Sequence, residues 1–158
     1  VLGARGAAAR MIDVHAFASD FRDAALKGAS SSRMCVALSA PLQAALSLLG
    51  IPCCLSASNV GGWAHVFLKL GDGRVLDPSA DQFNERTPES LPAVYLGPPA
   101  PIHDNAAPWA TDEAWHGLMA ELKRLCPDFT PSEIGQHVNL VLRTLPPDMC
   151  VFASPSNP

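Results

Sequence analysis

At 158 residues and 16.7 kDa the chain has room for one domain of ordinary size and not for a second sizeable one. Apolar residues make up 48% and charged residues 16%, which excludes a disordered chain and predicts a buried core. A formal charge of −4 argues against nucleic-acid binding and a polybasic membrane-surface module, and no apolar run approaches the ~20 residues that cross a bilayer.

In chain order, Val14, Phe17, Phe21, Ala24 and Ala25 recur at helical spacing within a helix expected from about Ala8 to Lys27, with Gly28 suited to its C-cap. Ser30-Ser31-Ser32 makes a polar break. A second helix follows from Cys35 to Leu49, rich in Ala and Leu and closed by Gly50. Pro41 inside it loses a backbone hydrogen bond and crowds the preceding turn. Either the helix kinks there, or its regular part starts near Ser39. Beyond Gly50 the period changes, and Ile51 to Ala57 and Trp63 to Leu70 read as short strands bounded by glycine. In the second of these, Trp63, His65 and Phe67 share one face, while Ala64, Val66, Leu68 and Leu70 share the other. Gly71-Asp72-Gly73 is a hairpin turn, and Arg74 to Asp77 returns as the next strand.

Twelve of the fifteen prolines follow Pro78, so the second half is expected to be loop-rich, with short helices between proline breaks. The stretch from Gly97 to Pro108 reads as a stiff connector. Thr111 caps a helix carrying Trp115, Leu118, Leu122 and Leu125, stopped by Pro127. Thr130-Pro131-Ser132-Glu133 is a capping box opening a last helix toward Leu145. The order of helices, strands and helices predicts an α+β fold.

Three side chains carry chemistry: Cys35 at a helix start, His65 mid-strand, and Asp77 on the strand paired to it. Hairpin arithmetic sets His65 opposite Asp77 or Pro78, ~5 Å away between backbones. A carboxylate there fixes the imidazole tautomer and leaves its other nitrogen free for a thiol proton. A helix N-terminus favours an anionic sulfur, and its N–H groups can hold an oxyanion. Nucleophile, base and orienter together are the parts of acyl transfer.

These residues resemble the transglutaminase-like branch of the papain-like cysteine enzymes. The resemblance lies in Cys35, Gly50-Ile51-Pro52, Ala64-His65-Val66-Phe67, Gly73-Arg74-Val75-Leu76 and Asp77-Pro78-Ser79, and it covers roughly residues 32–83. The arrangement is also similar to the leader-peptide proteases of lasso-peptide maturation, which share the Ala-His pair. The resemblance implies one domain over residues 1–158, with a papain-like core at 30–84 and a helical C-terminal extension at 85–158. In that core the nucleophile helix packs on a small antiparallel sheet. It further implies Cys35 as nucleophile, His65 as general base and acid, and Asp77 as orienting carboxylate. Phe67 stands where the family commonly has tryptophan, and neither Gln nor Trp precedes Cys35 to supply a side-chain oxyanion donor. Arg33, Asn59 and Trp63 are the candidates for that role. Asp81 is a rival orienter two strand steps too far from His65, and Gln82 either lies on the surface or lines the cleft.

The remaining candidates have simpler readings. Cys53 and Cys54 point to opposite faces of a strand and are expected to pack in the core; with Cys126 and Cys150 they form no metal or disulfide pattern. Unpaired thiols suit an intracellular-type chain, although a start at Val1 is compatible with a removed signal or a larger parent protein, and a secreted effector fits the size. His15, His103, His116 and His137 are expected as surface or core residues, and Trp109 and Trp115 as core. The expected function is thiol-dependent hydrolysis of a peptide bond or glutamine side chain, without metal or cofactor, on a peptide or protein substrate. Transglutaminase-type transfer to an amine and a catalytically inactive peptide-binding member of the fold are the alternatives. An acetyltransferase using the same triad is a weaker third. Oligomeric state is not readable from the sequence.

Overall fold

The computed structural model describes residues 12–109 and 112–138. Helix α1 spans Val14–Leu26 and α2 spans Cys35–Leu48. Strands β1 (Cys53–Val60), β2 (Trp63–Leu70) and β3 (Val75–Asp77) follow, and a short 3-10 turn covers Ala80–Phe83. Then come β4 (Tyr95–Gly97), a second 3-10 turn (Pro101–His103), β5 (Ala107–Pro108), and helices α3 (Asp112–Leu125) and α4 (Pro131–Gln136). This is the α+β arrangement. Thr111, the side chain of Trp115, Cys150, and the helix ends expected at Ala8 and Leu145 lie outside the described residues.

Helix α1 starts where Asp13 accepts the Ala16 N–H at 3.0 Å, which satisfies one otherwise unpaired amide of the first turn. Its C-cap is Lys27, in the left-handed region at φ 50°, one residue before the glycine expected there. Helix α2 begins at Cys35 and runs through Pro41 as an interior residue, so the later start near Ser39 does not occur. Eleven of its fourteen residues are buried, as suits a helix that is apolar all round. Its end is a Schellman arrangement, with Ile51 N–H bonded to the Leu46 carbonyl and Gly50 N–H to that of Ser47.

The sheet is antiparallel throughout, in the order β4-β3-β2-β1-β5. A two-residue turn joins β1 to β2: Val60 pairs with Trp63, and Gly61 and Gly62 both take positive φ, the conformation that a type I′ hairpin requires. The central strand β2 is buried on both faces. Val66 and Leu68 join an apolar cluster with Leu38, Leu42 and Leu46 of α2, and the Ser39 hydroxyl donates to the Val66 carbonyl at 3.1 Å. On the opposite face His65 and Phe67 meet the rings of Phe83 and His103.

Two expectations need correction here. Residues 85–109 hold no α-helix: besides the 3-10 turn at Pro101–His103 they supply both edge strands, β4 beside β3 and β5 beside β1. Since β4 and β5 lie at opposite edges, the chain between them must cross the sheet, and the stiff connector expected over Gly97 to Pro108 is that crossing. The Ser58 hydroxyl pins it over β1 by donating to the Ile102 carbonyl at 2.6 Å. The β2–β3 register also differs by at least one residue. Leu68 pairs with Leu76 and Lys69 with Val75, so a further step sets Asp77 beside Phe67 and leaves His65 its diagonal neighbour.

Candidate active site

The site is built around the end of β3. The Asp77 carboxylate is fully buried and has four donors. Its Oδ1 accepts the Ser79 N–H at 3.1 Å and faces the Ser79 hydroxyl at 3.5 Å. Its Oδ2 lies 2.6 Å from His65 Nε2 and 2.8 Å from His103 Nε2. Burial alone would push this carboxyl up, but the two imidazoles outweigh it and hold Asp77 well below the usual carboxylate range.

His103 arrives from the sheet crossing. Its Nδ1 accepts the Ala100 N–H at 3.0 Å, and since a backbone amide can only donate, the ring proton belongs on Nε2. His103 therefore donates to Asp77. It was expected as an ordinary surface or core histidine; it is buried and bonded to the same oxygen that holds His65. The signal available in the sequence was local: Pro101 sets the first helical position of a short turn that aims the residue two places on.

His65 is completely buried, with Phe83 edge-on at 5.0 Å and Phe67 tilted at 5.6 Å between ring centroids. Burial alone would lower its pKa; the Asp77 carboxylate and the nearby Cys35 side chain outweigh burial and raise it to about 9. With Nε2 committed to Asp77, Nδ1 is the free ring position, and the Gln82 side-chain amide faces it at 2.8 Å. An amide can meet that nitrogen with its N–H when the ring is neutral, or with its oxygen when the ring is charged. Gln82 also donates to the Ser79 hydroxyl at 3.2 Å, so it belongs to the cleft and not to the open surface.

Cys35 is the first residue of α2, where the backbone N–H has no partner within the helix. It is 1% exposed. A small crevice beside the His65 partner Gln82 is lined by Arg33, Trp63, Gln82 and Arg86 among others. No protein-family profile, curated protein or solved structure matches this chain. What the site can do therefore follows from its own geometry.

His65, Asp77 and Gln82 are joined by hydrogen bonds, Cys35 lies near enough to act on the His65 ring, and Arg33 and Trp63 line the crevice with Gln82. Asn59 does not join them: its side chain accepts the Gly62 N–H at 2.8 Å inside the β1–β2 turn and is exposed. Asp81 turns away from His65 to a two-point ion pair with Arg22, at 2.8 and 2.9 Å, and accepts the Ser31 hydroxyl. Arg22 donates as well to the Pro78 and Ala93 carbonyls, so it clasps α1 to the chain leaving β3. The thiols of Cys53 and Cys126 are both pushed up to about 11 by burial, whereas Cys54 is exposed and does not pack in the core as expected. His65, Asp77 and His103 are metal-ligand types within 4.8 Å of one another. A cation held by all three would need the His103 Nε2 lone pair, and the Ala100 amide keeps a proton there, so the cluster fits a hydrogen-bond network and not a metal.

Proposed function

We propose that this chain is a thiol-dependent amide hydrolase of the transglutaminase-like, papain-like kind. Cys35 is its nucleophile, His65 its general base and acid, and Asp77 its orienting carboxylate. The observation that supports this reading most is the 2.6 Å bond from His65 Nε2 to Asp77, which leaves Nδ1, now met by the Gln82 amide, as the ring nitrogen to serve Cys35 at a helix N-terminus. In the reaction the proton of the Cys35 thiol is held on His65 Nδ1, in keeping with an imidazolium at neutral pH, and the sulfur bonds to the amide carbon as the carbonyl electron pair moves to its oxygen. The oxyanion is taken by the Cys35 N–H and by the Gln82 amide, which must first withdraw from Nδ1. Collapse breaks the carbon–nitrogen bond, and the departing amine leaves with the His65 proton. Water then attacks the thioester, giving its proton to His65, and the acid and the free thiol are released. His103 holds Asp77 and does not touch the reacting atoms.

A second reading, a catalytically silent protein-binding member of this fold, is favoured by two features: Cys35 is 1% exposed, and Gln82 occupies the nitrogen that a base must offer. The two separate by intact-mass analysis of a mixed peptide library containing internal glutamines. Hydrolysis gives peptide cleavage, or a small mass rise where a side-chain nitrogen is exchanged for oxygen. Transfer to an amine gives ligated masses. The change is expected to vanish in Cys35→Ala and His65→Ala; the same products from Cys35→Ala would overturn the catalytic reading, and unchanged peptides from the wild type would favour the silent one.

A further inference from the structure

The entrance crevice carries an unbalanced positive charge. Arg33 stands two residues before Cys35 in a left-handed backbone conformation, φ 63°, which turns the chain into the helix. Trp63 stands two residues before His65 on the same strand face. The Arg86 guanidinium lies over the Trp63 ring at 4.0 Å from its centroid, and that of Arg33 at 6.0 Å. Among the described residues neither arginine forms an ion pair with a carboxylate, whereas Arg22, Arg74 and Arg124 each do. Two like charges thus approach one indole ring and line one crevice in a chain whose formal charge is −4. Guanidinium groups present forked donors that match a carboxylate, and the indole face holds them in place at little entropic cost. The crevice has room for roughly one water-sized group, so it suits a small functional group and not a bulky apolar side chain. Gln82, one hydrogen bond from His65, also lines it.

We infer that Arg33, Arg86 and Trp63 form a carboxylate-binding subsite, and that the substrate is an acidic peptide with its carboxylate close to the amide under attack. This inference rests on the catalytic reading of Cys35 and His65 for the position of the amide; the anion site itself rests on the two arginines and the indole. The carboxylate can come from an acidic side chain or from a chain terminus, and both present the same planar pair of oxygens to the arginines.

Two measurements test it. The first compares alkylation of Cys35 by iodoacetate, which carries a carboxylate, with that by neutral iodoacetamide, read at Cys35 by peptide mass mapping. In Arg33→Gln/Arg86→Gln the iodoacetate rate is expected to fall about tenfold while the iodoacetamide rate holds, since only the charged reagent is drawn by the two guanidinium groups. The second follows the Trp63 indole N–H by NMR during titration with N-acetyl-glutamate amide, which has only a side-chain carboxylate, or N-acetyl-glutamine, which has only a terminal one. The indole signal is expected to shift with the preferred source and to stay still in the double variant. An unchanged iodoacetate-to-iodoacetamide ratio together with an unresponsive indole overturns the subsite. A responsive indole beside a Cys35 that reacts no faster than in His65→Gln overturns the catalytic reading and leaves the anion site standing.

Discussion

One carboxylate oxygen holding two imidazoles sets the electrostatics of the whole site. Asp77 Oδ2 accepts from His65 and His103, both completely shielded from solvent, and a buried carboxylate keeps its charge only with such donors around it. His103 is thus a positioning residue, and its removal is expected to be read in the pH dependence of stability. Because the folded Asp77 titrates below its unfolded value, its contribution is present above pH ~4 and lost as pH falls further. In His103→Phe the folded carboxyl rises, so the stability lost on acidification is expected to shrink, with about 1–3 kcal/mol lost at neutral pH. His65 has the opposite sign. With a folded pKa of about 9, its contribution is fully present below pH ~6.5 and is lost as pH rises through 9. Denaturant unfolding across this range checks both limbs: the wild type is expected to weaken between pH 6.5 and 9, and His65→Gln to stay flat there. An unaltered acid limb in His103→Phe would show that His103 merely packs. At this scale the places of Cys35 at a helix start and of His65 and Asp77 on neighbouring strands are legible, because each sits in a regular element. His103 was not, because a single histidine in a proline-rich stretch has no periodicity to reveal where it points.

At the scale of elements, the legible parts were those long enough to show a period. Helix α2 and strand β2, 14 and 8 residues long, match the apolar patterns that announced them. Strands β4 and β5 have three and two residues, too few for alternation to be recognised, and prolines on either side made them look like a connector. The register error between β2 and β3 has the same root: a hairpin turn was visible at Gly71 to Gly73, but loop length, which sets the pairing, was not. Helix α4 adds a constraint that no pattern shows. A methyl group on Gly135 would lie 2.6 Å from both the Ala24 side chain and the Phe21 carbonyl oxygen of α1. Backbone cannot yield by that much without moving the helix, so Gly135→Ala is expected to cost about 1–3 kcal/mol in unfolding free energy, the usual cost of overpacking. Chemical denaturation checks this, and a neutral substitution would mean that α4 is not seated on α1 as described.

For the molecule as a whole, the site depends on chain segments that are distant in sequence. The segment that crosses the sheet from β4 to β5 delivers His103, the Arg22 clasp ties α1 to the chain leaving β3, and α2 delivers Cys35 to the end of the central strand. No helix among the described residues is long and apolar enough to cross a membrane. The central claim is that this framework makes a buried thiol reactive through His65. It is tested most directly by the rate at which iodoacetamide labels Cys35 and Cys54 near pH 6, each read by peptide mass mapping. Exposure alone favours Cys54, and Cys35 is 1% exposed, so the order of labelling separates activation from access. Cys35 is expected to react first, and about tenfold more slowly in His65→Gln, which removes the imidazolium charge that favours an anionic sulfur. Labelling of Cys54 first, with a Cys35 rate indifferent to His65→Gln, would contradict the account.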